Sequence, residues 1–336
     1  MAGVDLSLYK FEYDLTLAVL LMNADGTIYH RFGGRDETAA TSRLSMTSLV
    51  RLMRETLEDH AEHQKSPSPP ELAPRRTIED LPPIAKKIQK RKEEKKHVEC
   101  FHCHMVNDAL REIAQEKGTW TRDDIWLWPP PDQVGLKLDR DDPTLLKGVA
   151  AGSGAEAAGL EAGDRLLRLG GERVRSHADI QWVLEKASRD ATSLPVEYLQ
   201  KSKDPKSAKI SLAKGWKAGT PLSLSWRPTM WSLKPQPGFG GQKLEKEEVE
   251  KLGLEPGAFA MKVGYLVDWE ETGRVAKKAG LRKGDVLLSV AGEKSFASEL
   301  HFQSWFRLTQ KSGTTVALEL LRDGKRVNVE LPLLPE

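Results

Sequence analysis

The chain has 336 residues, 39% of them hydrophobic and 30% charged, with a formal net charge of +2. That length exceeds a single ordinary core and fits two or three domains of about 100 residues each, and the balanced charge gives no basic excess, so no nucleic-acid partner is expected. The longest apolar run, Leu15 to Met22, falls short of the roughly 18 residues that span a bilayer, so no transmembrane segment is expected. Asp14 precedes it and no cleavage signal follows, so it does not read as a secretory leader. Cys100 and Cys103 are the only two cysteines, which excludes a disulfide framework.

In residues 1–64, an apolar run from Thr16, the turn Asn23-Ala24-Asp25-Gly26 and a second run Thr27 to Phe32 predict a β-hairpin closed by Gly33-Gly34. Ser45 then caps a helix in which Met46, Leu49, Val50, Met53 and Leu57 recur at helical spacing. This strand-turn-strand-helix unit resembles the C-terminal half of a thioredoxin-like domain. It departs from that family in having no Cys-x-x-Cys before it and no proline between Met1 and Gln64. Thioredoxin catalysis is therefore not expected of it, and a small α+β unit for packing or docking is.

Residues 65–96 read as a linker. Ser66-Pro67-Ser68-Pro69-Pro70, Pro74 and Pro82-Pro83 disfavour regular structure, and Lys86, Lys87, Lys90, Arg91, Lys92, Lys95 and Lys96 then make a basic stretch. That stretch suits a solvated helix face or an anion-attracting collar.

Residues 97–128 carry Cys100-Phe101-His102-Cys103-His104, which matches the attachment signature of c-type haem. In that reading Cys100 and Cys103 bond the haem covalently and His104 ligates its iron. The apolar positions Val106, Ala109, Leu110, Ile113 and Ala114 predict the helix that aims the histidine. Two alternatives use the same atoms: zinc held by Cys100 and Cys103 with His104, His102 or His97, and a redox-active dithiol.

The rest of the chain is an internal repeat. Ala155-x-x-Ala158-Gly159-Leu160-x-x-Gly163-Asp164 recurs as Ala276-x-x-Ala279-Gly280-Leu281-x-x-Gly284-Asp285, each copy continuing through an apolar strand to a glycine, Gly171 and Gly292. The alanines start a short helix in tight quarters, the leucine enters the core, and Gly-Asp turns the chain into the next strand. The pattern resembles the PDZ domain of bacterial envelope proteases, with modules expected at 129–215 and 243–336 and a bridge at 216–242 rich in Trp and Pro.

By that resemblance, protein or peptide termini add as a strand beside the second strand of each module. The residues implied are Val134, Gly135, Leu136, Lys137 and Leu138 in the first copy, and Gly257, Ala258, Phe259 and Ala260 leading into Met261 in the second. The facing helices are implied at Ala178–Ala187 and Glu299–Leu308. No protease activity is expected, because no Gly-x-Ser-x-Gly segment occurs and the stretch before residue 129 is too short for a double β-barrel.

The expected fold class is thus α+β multidomain: a partial thioredoxin-like unit, a Cys-x-x-Cys-His helical element and two PDZ domains. The whole arrangement resembles a bacterial family of thioredoxin-like/PDZ proteins that includes selenoproteins. It implies a cysteine or selenocysteine redox site missing from this chain, which suggests an N-terminally truncated reading of a longer, exported protein of the envelope or periplasm. The function expected is peptide binding through the PDZ modules, accessory to an envelope redox or quality-control process. The alternative is a thioredoxin-like or haem redox protein whose PDZ modules hold clients.

Overall fold

The computed structural model describes residues 1–97, 101–200, 204–255 and 257–335, and the chain divides into two units, Met1–Gly219 and Thr220–Glu336.

The first unit opens with the hairpin β1 (Ala18–Met22) and β2 (Ile28–Gly33), paired antiparallel. Its turn is held by Asp25, whose carboxylate accepts from the Thr27 N–H at 2.8 Å. Helix α1 (Met46–Lys65) starts at Ser45, whose hydroxyl accepts from the Ser48 N–H at 3.0 Å in a reciprocal capping pair. Leu52 of α1 packs with Phe32 and Leu44 in a small core. The periodic stripe Met46, Val50, Met53 and Leu57 faces solvent instead, because a two-stranded hairpin covers only one side of the helix.

Pro82 and Pro83, read as stopping regular structure, occupy the first turn of α2 (Pro82–Glu93), where a missing N–H is no loss. Ile84 of α2 joins Leu6, Tyr13, Ile78, Leu81 and Val106 in a second core that also takes α3 (His104–Glu116).

The first repeat follows. After a 3-10 turn at Pro131–Val134 come β3 (Leu136–Leu138), β4 (Leu146–Val149), α4 (Gly154–Ala157), β5 (Arg165–Leu169), β6 (Glu172–Arg173), α5 (His177–Lys186), β7 (Thr192–Leu199) and β8 (Pro205–Leu212). Strands β3 and β4 pair with each other, and the others form a four-stranded sheet in the order β6-β5-β7-β8. Leu136, Leu146, Leu166, Leu169, Ile180 and Leu184 fill the core between sheets and α5.

The second unit contains α6 (Pro221–Leu224), β9 (Phe239–Lys243), α7 (Lys246–Lys251), β10 (Met261–Leu266), α8 (Glu271–Lys278), β11 (Val286–Val290), α9 (Glu299–Thr309), β12 (Thr315–Arg322) and β13 (Lys325–Pro332). Its strands make one antiparallel sheet in the order β13-β12-β11-β10-β9, so the sheet begins at Phe239, inside the segment read as a bridge. Asp323 and Gly324, both at positive φ (48° and 74°), form the tight β12–β13 turn that the twist of paired strands favours.

The repeated motif folds alike in both units. Leu160 N–H donates to Ala155 O at 3.2 Å and Leu281 N–H to Ala276 O at 3.1 Å. The glycines sit at φ 94° and 95°, a region only glycine enters freely. The Asp164 carboxylate accepts from Glu161 N–H at 2.9 Å and that of Asp285 from Arg282 N–H at 2.8 Å, which closes the turn before each strand. Asp285 additionally meets Arg322 through two bonds of 2.7 Å.

Candidate functional site

In the second unit the last strand of the sheet, β9, lies beneath α9. Its inward groups are spoken for: Gly238 O accepts from Val267 N–H at 2.9 Å and Leu244 N–H donates to Ala260 O at 2.8 Å. Because strand groups alternate with period two, the N–H and C=O of Phe239, Gly241 and Lys243 point away from β10, along the free edge of the sheet. Phe239 O on that edge accepts from the Gln303 side chain of α9 at 2.8 Å.

Glu299, Gln303 and Arg307 stand four residues apart on α9 and so share the face turned to β9. They are linked to one another: Gln303 donates to Glu299 at 3.2 Å and Arg307 to Gln303 at 2.6 Å. Tyr265 of β10 donates its hydroxyl to Glu299 at 3.1 Å across Gly240, where any side chain would collide with both. Burial first, and the neighbouring Glu299 carboxylate second, push the Tyr265 hydroxyl up to about 12. Burial draws the Arg307 guanidinium down to about 10. The site is thus a strand edge roofed by a helix: at the Phe239 end it is closed by buried Gln303, with buried Arg307 behind it, and it is more accessible at Gly241 and Lys243.

The first repeat presents the same helix face, His177, Gln181 and Glu185 of α5, to different neighbours. His177 Nδ1 lies 3.1 Å from Gln181 Oε1, and Gln181 donates to Trp128 O at 3.0 Å. Trp128 N–H in turn donates to Glu185 at 2.8 Å. Trp128 is held at φ 51°, rare for a bulky residue, and its ring stacks on Trp182.

Of the residues read from sequence in the first copy, Val134 and Leu136 are buried in the core and only Lys137 is exposed, with Leu138 between. The Gly135 N–H donates to Asp132 O at 3.0 Å and its carbonyl accepts from Ala150 N–H at 2.9 Å, so both groups of this loop residue are committed.

The second-copy assignment needs correcting. Gly257, Ala258, Phe259 and Ala260 lead into β10, which is paired with β9 on one side and β11 on the other and has no edge to offer. Phe259 packs edge-on against Phe296 in the core, and Ala260 is fully buried. Helix α7, inserted between the first two strands of the second unit, breaks the spacing that the two copies share further on. The segment that sequence reasoning missed is Pro237-Gly238-Phe239 at the start of β9, whose Gly-apolar step matches Gly135-Leu136 at the start of β3 and was available as a signal; both glycines sit at positive φ, and the carbonyl of each accepts from an N–H at 2.9 Å.

Cys103 packs with Tyr13, Phe11 and Met105 just before α3, and the His104 ring stacks on that of His102 with 5.8 Å between centroids. His104 Nδ1 lies 3.6 Å from Asp108. Cys100, on which the haem, zinc and dithiol readings all turn, lies outside the described residues. Among the described residues no group of three or more His, Cys, Asp or Glu is placed to hold a metal ion, and no helix is long and apolar enough to cross a membrane.

Residues 271–333 match the PDZ domain family, and the second unit accordingly contains a PDZ domain. A probable periplasmic serine endoprotease DegP-like protein of Pseudomonas fluorescens is 37% identical over 99 residues, 28% of this chain and 19% of that protein. The chain therefore spans about a fifth of that relative's length. Among solved structures, the HtrA-type protease AlgW with decapeptide is similar at 19% identity and a TM-score of 0.25, over 42% of each chain. A variant of that protease with decapeptide is 20% identical with a TM-score of 0.27, over 42% of this chain and 41% of that one.

Proposed function

We propose that this chain is a peptide-binding protein of the bacterial envelope, serving protein quality control, and that its PDZ domain accepts an extended protein segment as an added strand on the free edge of β9. The observation that carries this reading is the outward backbone groups of Gly241 and Lys243 on the edge of β9, next to the Phe239 carbonyl that Gln303 already holds, within a unit of PDZ type. Backbone bonding along such an edge supplies affinity, and alternate side-chain contacts with the roofing helix supply selectivity. The envelope setting and the quality-control role are supported by the periplasmic DegP-like relative.

Lys243→Pro tests it. Proline at an edge position removes an outward N–H without breaking a bond to β10, so the sheet persists. Titrating the full chain with fluorescently labelled peptides should show affinity reduced about tenfold, the worth of a bond or so of this kind plus the local clash. Equal affinity in the variant and the unmodified protein contradicts strand addition at β9.

A further inference from the structure

We infer that the first turn of α5 and the two flanks of β3 in the first repeat are covered by the chain's own residues 31–44, with Trp128 covering the rest of that helix face, so that this repeat clamps the N-terminal hairpin and leaves ligand capture to the second unit. Helix α5 does to β2 what a neighbouring strand does. The Arg31 N–H donates to Asp179 at 2.8 Å, and the Arg31 carbonyl accepts from the Ser176 hydroxyl. These are the groups of β2 that face away from β1, so the outer edge of the hairpin is capped by the first turn of α5.

Contacts continue past β2. A side chain on Gly34 would come within 2.7 Å of His177 Nδ1, so the chain backbone runs hard against the first residue of α5. Arg43 reaches Asp132, in the turn before β3, at 3.0 Å, and Arg140, just after β3, donates to Leu44 O at 2.7 Å. The two ends of β3 are thereby tied to consecutive residues of the same segment. Arg31 closes the other side, its guanidinium 4.2 Å above the Trp182 ring. The edge of β9 has no strand partner among the described residues; what packs on α9 is α6, with Ser304 donating to Pro221 O at 2.6 Å, and the Trp231 ring, 5.0 Å from the Arg307 guanidinium.

Hydrogen exchange on the full chain tests the inference without any ligand, so it stands or falls separately from peptide binding by the second unit. In the unmodified protein the Arg31 amide should exchange through the same opening event as the amides of α5, as members of one cooperative unit do. Asp179→Ala, which removes acceptors for Arg31, His30 and Arg175, should speed exchange about tenfold or more in both 28–33 and 177–186 and leave β9 and α9 unchanged. An Arg31 amide that exchanges freely in the unmodified protein, or a variant in which β2 loosens while α5 does not, overturns the clamp. Should the variant fail to fold, the comparison within the unmodified chain decides alone.

Discussion

His30 and Asp179, 149 residues apart in the chain, are joined by a 2.7 Å bond from the imidazole Nδ1 to the carboxylate, while Nε2 of the same ring meets Asp59 at 2.7 Å. Arg175 backs Asp59 with bonds of 2.8 and 3.0 Å. A ring gripped at both nitrogens by carboxylates is a buried cation, and it ties β2, α1 and α5 into one body.

Two histidines in this region titrate in opposite senses. Burial opposes the charge on His30, but its bonds to Asp179 and Asp59 prevail and raise it to about 9. Stability from His30 is therefore fully present below its unfolded value of about 6.5 and is lost as pH rises through 9. Burial lowers His177 to about 3, so the fold keeps that ring neutral and loses stability as pH falls below about 6.5, where the unfolded chain takes up the proton. Denaturant midpoints of the first unit should peak near pH 6.5 and decline on both sides. A midpoint still rising between pH 7 and pH 9.5 contradicts the charged state of His30.

Replacing His30 by Leu leaves Asp59 and Asp179 buried without their shared partner. The expected cost is about 3 kcal/mol in the unfolding of the first unit, typical of breaking a buried charge pair from one side. Urea denaturation followed by tryptophan fluorescence measures it, and a cost under 1 kcal/mol would show the grip to be incidental.

Gly163→Ala and Gly284→Ala probe the repeated turn. Open space surrounds both positions, so the penalty comes from the backbone alone, about 1 kcal/mol for a side chain forced to φ near 95°. Each substitution should lower the transition of its own unit by a similar amount, as calorimetry can resolve. Unequal costs would mean that the two turns bear different loads.

What could be read from the chain follows the range of each interaction. The Ala-Gly-Leu-x-x-Gly-Asp turn closes within ten residues, through bonds such as Leu160 to Ala155 and Glu161 to Asp164, so its doubling was visible as a pattern. Upstream the equal spacing fails, because α7 intervenes before β10 in the second unit, and the strand edge at Phe239-Gly240-Gly241 was passed over. The His30–Asp179 bond leaves no local trace, since neither a lone histidine in a strand nor an aspartate in the first turn of a helix announces its partner. The stripe on α1 was legible as a helix but not as an exposed one, because periodicity marks an apolar face without saying what covers it.

Amide exchange of the full chain with and without saturating peptide reads strand addition at β9 residue by residue. Exchange should slow at Gly241 and Lys243, whose N–H groups face outward, with little change at Gln242, already paired with β10. Protection absent from these two amides, or found instead at Leu136–Leu138 of the first repeat, contradicts strand addition at β9.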